Sequence, residues 1–256
     1  MERPLILVIN DDGIDAPGLR SLIDTIREIG KVVVVAPDIA RSGTGHAITV
    51  RDPLRFEQIV KEDNYEEYSC NGTPVDCVKL AENVILKRNP DILLSGINHG
   101  SNSSVSIIYS GTMAAVIEGS LADIPSIGFS LLDYSLDADF SACEKFVKNI
   151  TQTVLKNGLA PGVCLNVNIP AVNGAHIKGV KVCRQARGVW NEKFDEQKDP
   201  RNNSYYWLKG EFQMLDNGQD TDEWALNNNY VSIVPVHVDL TAHHAISSIK
   251  KWKLNA

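Results

Sequence analysis

No apolar run in the sequence approaches the roughly 20 residues of a membrane span. Positive charge is short as well: 25 Lys and Arg stand against 32 Asp and Glu, a formal net charge of −7. That shortage excludes broad, sequence-independent nucleic-acid binding, which rests on basic surface. It leaves room for a small phosphate ligand, provided a cation or backbone N–H groups help to hold it. Cysteine is scarce: Cys70, Cys77, Cys143, Cys164 and Cys183 are odd in number and contain no CxxC. Each lies in or near an apolar stretch, so they read as reduced core residues and a disulfide framework is not expected. No basic n-region with an apolar h-region precedes the first strand signal, so the expected location is the cytoplasm. Repeats and low-complexity linkers are absent too. A chain of 256 residues is then expected to form one large domain, or one domain with an extension.

What is present is an alternation of strand and helix signals. Residues 4–10 read as a buried strand, and 17–29 as a helix with Pro17 in its first turn and Gly30 at its exit. "KVVVVAP" is a second strand. "HAITV" and "PLRFEQIV" are expected to be short strands that pair with each other, and "EEYSCNG" another. "PVDCVKLAENVILK" has helical spacing, "PDILLSGIN" is a third buried strand, "GTMAAVIEGSLADI" a helix and "PSIGFSLL" a strand. Residues 139–157 read as an amphipathic helix and "GVCLNVNIP" as a further strand. This order implies an α/β fold, a doubly wound and mostly parallel sheet joined by right-handed crossovers. Residues 1–185 are the expected core. From 186 to 256 the texture becomes polar, aromatic and turn-rich. It suggests an extended hairpin, one more strand in "NNNYVSIVPVHVDLT" and a C-terminal helix in "AHHAISSIKKWK". A projecting arm with Trp190, Phe194, Tyr205, Tyr206 and Trp207 would expose much aromatic surface, and such surfaces find partners.

The first strand ends in an unusual way. "PLILVINDDGIDAPG" runs from five apolar residues into Asp11 and Asp12. Two adjacent carboxylates at a protein interior repel each other and lose hydration, so something positive should compensate them. Ligands of open α/β sheets bind beyond the carboxyl ends of the strands. Three more segments fall there: "PDIARSGTGH" with Ser42, "SGINHGSN" with Asn98 and Asn102, and "YSGT" at a helix start. Asp11, Asp12, Ser42 and Asn98 offer oxygen donors, which hard divalent cations prefer. Gly13 permits the turn that lets both aspartates face one ion. Ser110, Gly111 and Thr112 at a helix N-terminus suit a phosphate, with Asn102 beside them. His46 and His99 lie in the same set of loops and are secondary candidates for acid, base or phosphate donor. "GTGH" lacks the spacing of a dinucleotide fingerprint or a Walker loop. The residues alone leave three readings open: a metal-dependent phosphatase, a receiver-like signalling module, and a non-catalytic metal- or nucleotide-binding module.

"ILVINDDG", "VVVVAPDIARSGTGHAIT", "NGTPVDCVKLA", "DILLSGINHGSN", "YSGTMAAVIEG", "IPSIGFS", "LNVNIP", "YYWLKGE" and "DTDEWALNNNYVSIVPVHVDLT" stand in that order along nearly the whole chain. They resemble successive blocks of the SurE family, the stationary-phase survival 5′/3′-nucleotidases. The resemblance implies a Rossmann-like fold and hydrolysis of nucleoside monophosphates with one divalent metal per subunit, magnesium or manganese. It also implies metal ligands at Asp11, Asp12, Ser42 and Asn98, and a homodimer or homotetramer assembled through C-terminal segments. The departures are small: "HGSN" stands where the family often has Gly-Pro-Asn, and Ser103-Ser104-Val105 where glycine is often found. They bear on loop rigidity and remove no ligand.

Overall fold

Leu5–Ile9 form the first strand, β1, and all five residues are buried. Burial of both faces is what a strand inside a parallel sheet, with helices above and below, requires. The computed structural model describes residues 3–135, 137–252 and 254. Helix α1 (Pro17–Ile26) follows, opened by a proline in its first turn, and buries Leu19, Leu22, Ile23 and Ile26. Strand β2 (Lys31–Pro37) then pairs parallel with β1. Next come β3 (Phe56–Glu62), β4 (Tyr65–Cys70), α2 (Pro74–Leu80) and β5 (Ile92–His99). They are followed by α3 (Gly111–Leu121), β6 (Ser126–Leu131), α4 (Glu144–Asn157) and β7 (Val163–Ile169). The chain ends with β8 (Val180–Val182), β9 (Gly188–Lys198), β10 (Ser204–Met214), α5 (Asp222–Asn227), β11 (Val231–His237) and α6 (His243–Ile249).

The main sheet runs β3-β4-β2-β1-β5-β6-β7-β11-β8. From β4 to β7 every pairing is parallel; β3 and β11 are antiparallel to their neighbours β4 and β7. Alternate strand residues feed two cores. Ile6 and Val8 meet Leu19, Leu22 and Phe146 on the face of α1 and α4. Leu5, Leu7 and Ile9 meet Val78, Met113 and Val116 on the face of α2 and α3. From β1 the chain winds outward to β2 and β4, then returns to β5 on β1's other side. The strand order therefore reverses between β1 and β5. A crevice opens at such a reversal, beyond the carboxyl ends of the two strands, and that is where Asp11, Asp12 and Asn98 stand.

The α/β architecture is as read from the sequence, with local differences. Residues 46–50 form no strand, and β3 pairs with β4 instead. Ile48 and Val50 are exposed, so their alternation marks no buried face. The segment is held by side chains: Thr49 donates from its N–H (3.0 Å) and its hydroxyl (2.6 Å) to Asp76. Helix α1 stops at Ile26, and Ile29 N–H closes a short turn onto the Ile26 carbonyl at 2.8 Å. Helix α2 stops at Leu80 and widens into a π-helical turn, Ala81–Ile85. Before α4, Ser141–Cys143 form a 3₁₀ turn. The sequence reading has no counterpart for β8 or α5. The expected C-terminal helix is short, and its last expected residue, Lys253, lies outside the described residues. The hairpin is present as a two-stranded antiparallel sheet, β9 with β10. The strand expected within 186–256, β11, returns to pair with β7 in the main sheet.

Candidate active site

Asp11 leaves the end of β1 and is almost entirely buried. Gly13, at φ +100°, turns the chain straight afterwards, and Arg41 N–H donates to the Asp11 carbonyl at 2.7 Å. That bond ties the loop carrying Ser42 to the end of β1. Helix α3 starts opposite. Its N-cap Ser110 accepts the Met113 N–H at 3.0 Å. Thr112 Oγ1 donates to Asp11 Oδ1 at 2.5 Å and lies 3.3 Å from Asn98 Oδ1. A Cβ on Gly111 would lie 2.7 Å from Asp11 Cβ and 2.8 Å from its Oδ2, so only glycine lets the helix end come this close. From β5, His99 N–H donates to Asp12 Oδ2 at 3.3 Å. Asn98 is held by its amide nitrogen, which donates to the carbonyls of His99 (3.1 Å) and Gly100 (2.8 Å).

Burial pushes the Asp11 carboxyl up to about 6, and the Asp12 charge pushes the same way; Thr112 and the Gly111 N–H act against both. Burial also raises Asp12, opposed by the His99 N–H. Among the described residues neither aspartate forms an ion pair. No three His, Cys, Asp or Glu side chains cluster among them either, so the donor set here is two carboxylates plus neutral oxygens. A buried carboxylate with a half-buried one next to it, unpaired and near the Asn98 amide oxygen, suits a hard cation and would suit zinc or copper poorly.

The site opens into a cavity of about 460 Å³. Asp11, Ser42, Asn98 and Ser110 line it, as do Tyr109, Tyr134, Trp190, Leu208 and the charged Glu192 and Lys209. Asn102 and His99 line it as well. The Asn102 amide donates to Ser130 Oγ at 2.8 Å, and the His99 ring packs edge-on against Phe140. Four sequence candidates are not part of this lining, the first being Asp12, half-buried next to Asp11 with its Oδ2 accepting the His99 N–H. Gly111 and Thr112 lie behind Asp11 and serve its carboxylate. His46 is outside the cavity, with Nε2 2.9 Å from Glu118. Tyr109, Tyr134, Trp190 and Leu208 went unread as site residues. The aromatic run at 190–207 was the available signal for the hairpin wall, and it points as readily to a partner surface.

A family model described as "Survival protein SurE" matches residues 6–192. The chain belongs to the SurE family. It is 58% identical over 256 residues to the 5′-nucleotidase SurE of Christiangramia forsetii, covering 99% of this chain and 98% of that one. It is 57% identical to the 5′-nucleotidase SurE of Flavobacterium psychrophilum, with all of both chains covered. The crystal structure of the SurE protein from Aquifex aeolicus superposes with a TM-score of 0.83 at 40% identity, covering 96% of this chain and 98% of that chain. The SurE blocks in the sequence thus include both strand ends that frame the crevice.

Proposed function

We propose that this SurE-family protein is a metal-dependent nucleotidase, a phosphomonoester hydrolase that converts nucleoside 5′- and 3′-monophosphates to nucleoside and phosphate. The observation that carries this reading is the buried Asp11 with the half-buried Asp12 beside it, neither with a cationic partner among the described residues, Asp11 lining a cavity that Tyr109, Tyr134 and Trp190 also line. Asp11, Asp12, Ser42 and Asn98 would hold one divalent ion, magnesium or manganese. When bound, that ion supplies positive charge to the phosphoryl oxygens and acidity to a water. Ser110 and Asn102, which line the cavity, present polar groups for the phosphate. Asp11, which lines the cavity, and Asp12 beside it give the proton of an attacking water an acceptor. Tyr109, Tyr134 and Trp190 offer ring faces and edges to the nucleoside.

Among the described residues no helix is long and apolar enough to cross a membrane. With all five cysteines free and buried, a cytoplasmic location follows as part of the proposal. The exposed hairpin supports a homodimer or homotetramer, with residues 186–256 as the assembly arm of one domain.

The experiment is phosphate release from a panel of 5′- and 3′-nucleoside monophosphates and a sugar phosphate, with magnesium, manganese or chelator. Nucleotides should be preferred and chelator should stop the reaction. Absence of release under every metal, or equal turnover in chelator, would overturn the reading.

A further inference from the structure

The cavity has two walls from distant parts of the chain. The loop after β5 supplies Ser101, Asn102 and Ser106; the hairpin supplies Trp190, Leu208 and Lys209. Among the described residues the hairpin shares no strand ladder with the main sheet. Within one chain, its root is bonded to the loop after β5.

Asp222, the first residue of α5, is fully buried and sits at that root. Its Oδ2 accepts the Ser104 N–H at 2.8 Å, from the loop that carries Ser101 and Asn102. Its Oδ1 accepts the Ala186 N–H at 2.8 Å, two residues before β9 begins, and the Glu223 N–H at 2.9 Å. One carboxylate therefore joins both walls through their backbones. Two further bonds double the joint. Ser104 Oγ donates to the Ala186 carbonyl at 2.9 Å. Ser103 donates to the Glu223 carboxylate, and Ser103 Oγ lies 2.5 Å from Ser101 Oγ at the cavity. Ser104 holds a left-handed φ of +51°, a conformation that favours glycine. The bonds at its N–H and hydroxyl hold it there. A buried carboxylate that accepts three backbone N–H bonds is stiff, because each donor would otherwise lose its partner away from water.

We infer that Asp222 is a positioning residue. Its carboxylate fixes the spacing between the loop after β5 and the hairpin wall, and thereby sets selectivity for a nucleoside monophosphate over a smaller phosphomonoester. This rests on the nucleotidase reading above. The phosphate end of the cavity suffices for a small ester. A nucleotide must also meet the hairpin, so it alone senses the spacing.

Asp222→Asn keeps the shape and turns one acceptor into an NH₂ group facing a backbone N–H. Glu223→Ala removes only the outer strap. Wild type and both variants are compared on a nucleoside 5′-monophosphate and on p-nitrophenyl phosphate, with amide hydrogen exchange measured in parallel. The ratio of the two kcat/KM values should fall roughly ten-fold in Asp222→Asn, through KM for the nucleotide, and less in Glu223→Ala. The Ser104 and Ala186 amides should exchange faster while those inside β5 stay protected. Equal losses on both esters, or an unchanged ratio with unchanged exchange, would overturn the inference. Should Asp222→Asn fail to fold, Glu223→Ala decides by the same readouts. If wild type hydrolyses neither ester, the nucleotidase reading fails and takes the selectivity with it. The exchange rates then still decide whether Asp222 joins the walls.

Discussion

Asp11 is costly to keep ionised, since it is nearly solvent-free and has Asp12 beside it. Its raised pKa has a definite sign for stability. In the metal-free protein the folded carboxyl titrates near 6 against an ordinary 3.8, so the folded state binds the proton more tightly than the unfolded state. The penalty is fully present above pH 6 and is relieved as pH falls from about 6 to about 4. At neutral pH it is on the order of 3 kcal/mol. Asp11→Asn should therefore be as stable as, or more stable than, metal-free wild type at pH 7, with the gap closing toward pH 4. Urea unfolding of both proteins across that range measures it; a gap that widens on acidification would contradict the burial argument. Thr112 belongs to the same carboxylate. Thr112→Val should push the Asp11 pKa higher and weaken manganese binding roughly ten-fold, and calorimetric titration reads this directly. Unchanged affinity would return Thr112 to the phosphate-binding role that its place at a helix start suggests. That role is what sequence shows. A Ser-Gly-Thr helix start is legible, but which group the helix end faces is not, because β1 supplies that group a hundred residues earlier. His46 is a similar case: it stands in a loop, and its partner Glu118 lies far along the chain on α3.

Helix α2 shows how one side chain can replace a strand. Asp76 closes a capping box with Thr73, the two bonds measuring 2.9 and 3.2 Å, and also holds Thr49. Burial pushes the Asp76 carboxyl up, yet the hydrogen bonds from Thr49 and Thr73 outweigh it and the net shift is downward. Its contribution is therefore present above the ordinary carboxylate range and is lost as pH falls through the lowered folded value. Asp76→Ala should cost about 2–3 kcal/mol, more than a lost cap alone, because Thr49 and Thr73 both lose an acceptor. Thermal unfolding checks the cost, and protease nicking at 46–50 should rise with it; a loss under 0.5 kcal/mol would show that the segment is held by something else. The parallel strands were legible because burial on both faces forces unbroken apolar runs such as Leu5–Ile9 and Val32–Val35. "HAITV" offers the same residue types over a shorter stretch, and only tertiary bonding distinguishes it. Strand β8, at three residues, is too short to carry a pattern, and the antiparallel direction of β11 depends on the path the chain takes before it.

At the scale of the molecule the hairpin both lines the cavity, through Trp190 and Leu208, and leaves large side chains open, with Phe194 at 69% and Tyr206, Trp207 and Leu208 itself each at 58% exposure. Burying a large aromatic side chain contributes roughly 1.5–3 kcal/mol, so several together offset the entropy cost of association. Replacing Tyr206 and Trp207 together by serine should move the sedimenting species toward monomer without disturbing metal binding. A wild type that sediments as a monomer at micromolar concentration would refute assembly through the arm. The sequence made the arm visible by its composition. It could not show that the same strands also close the active-site cavity, since that depends on how Asp222 sets them against the loop after β5. Phosphate release from a nucleoside 5′-monophosphate by metal-stripped protein, before and after manganese is restored, bears most directly on the carboxylate pair as a cation site that drives hydrolysis. Stripped wild type should be inactive and should recover with the metal, while Asp12→Asn should stay at least a hundred-fold slower, on the order expected for a lost charged ligand. Full turnover in chelator, or wild-type turnover by Asp12→Asn at saturating manganese, would contradict it.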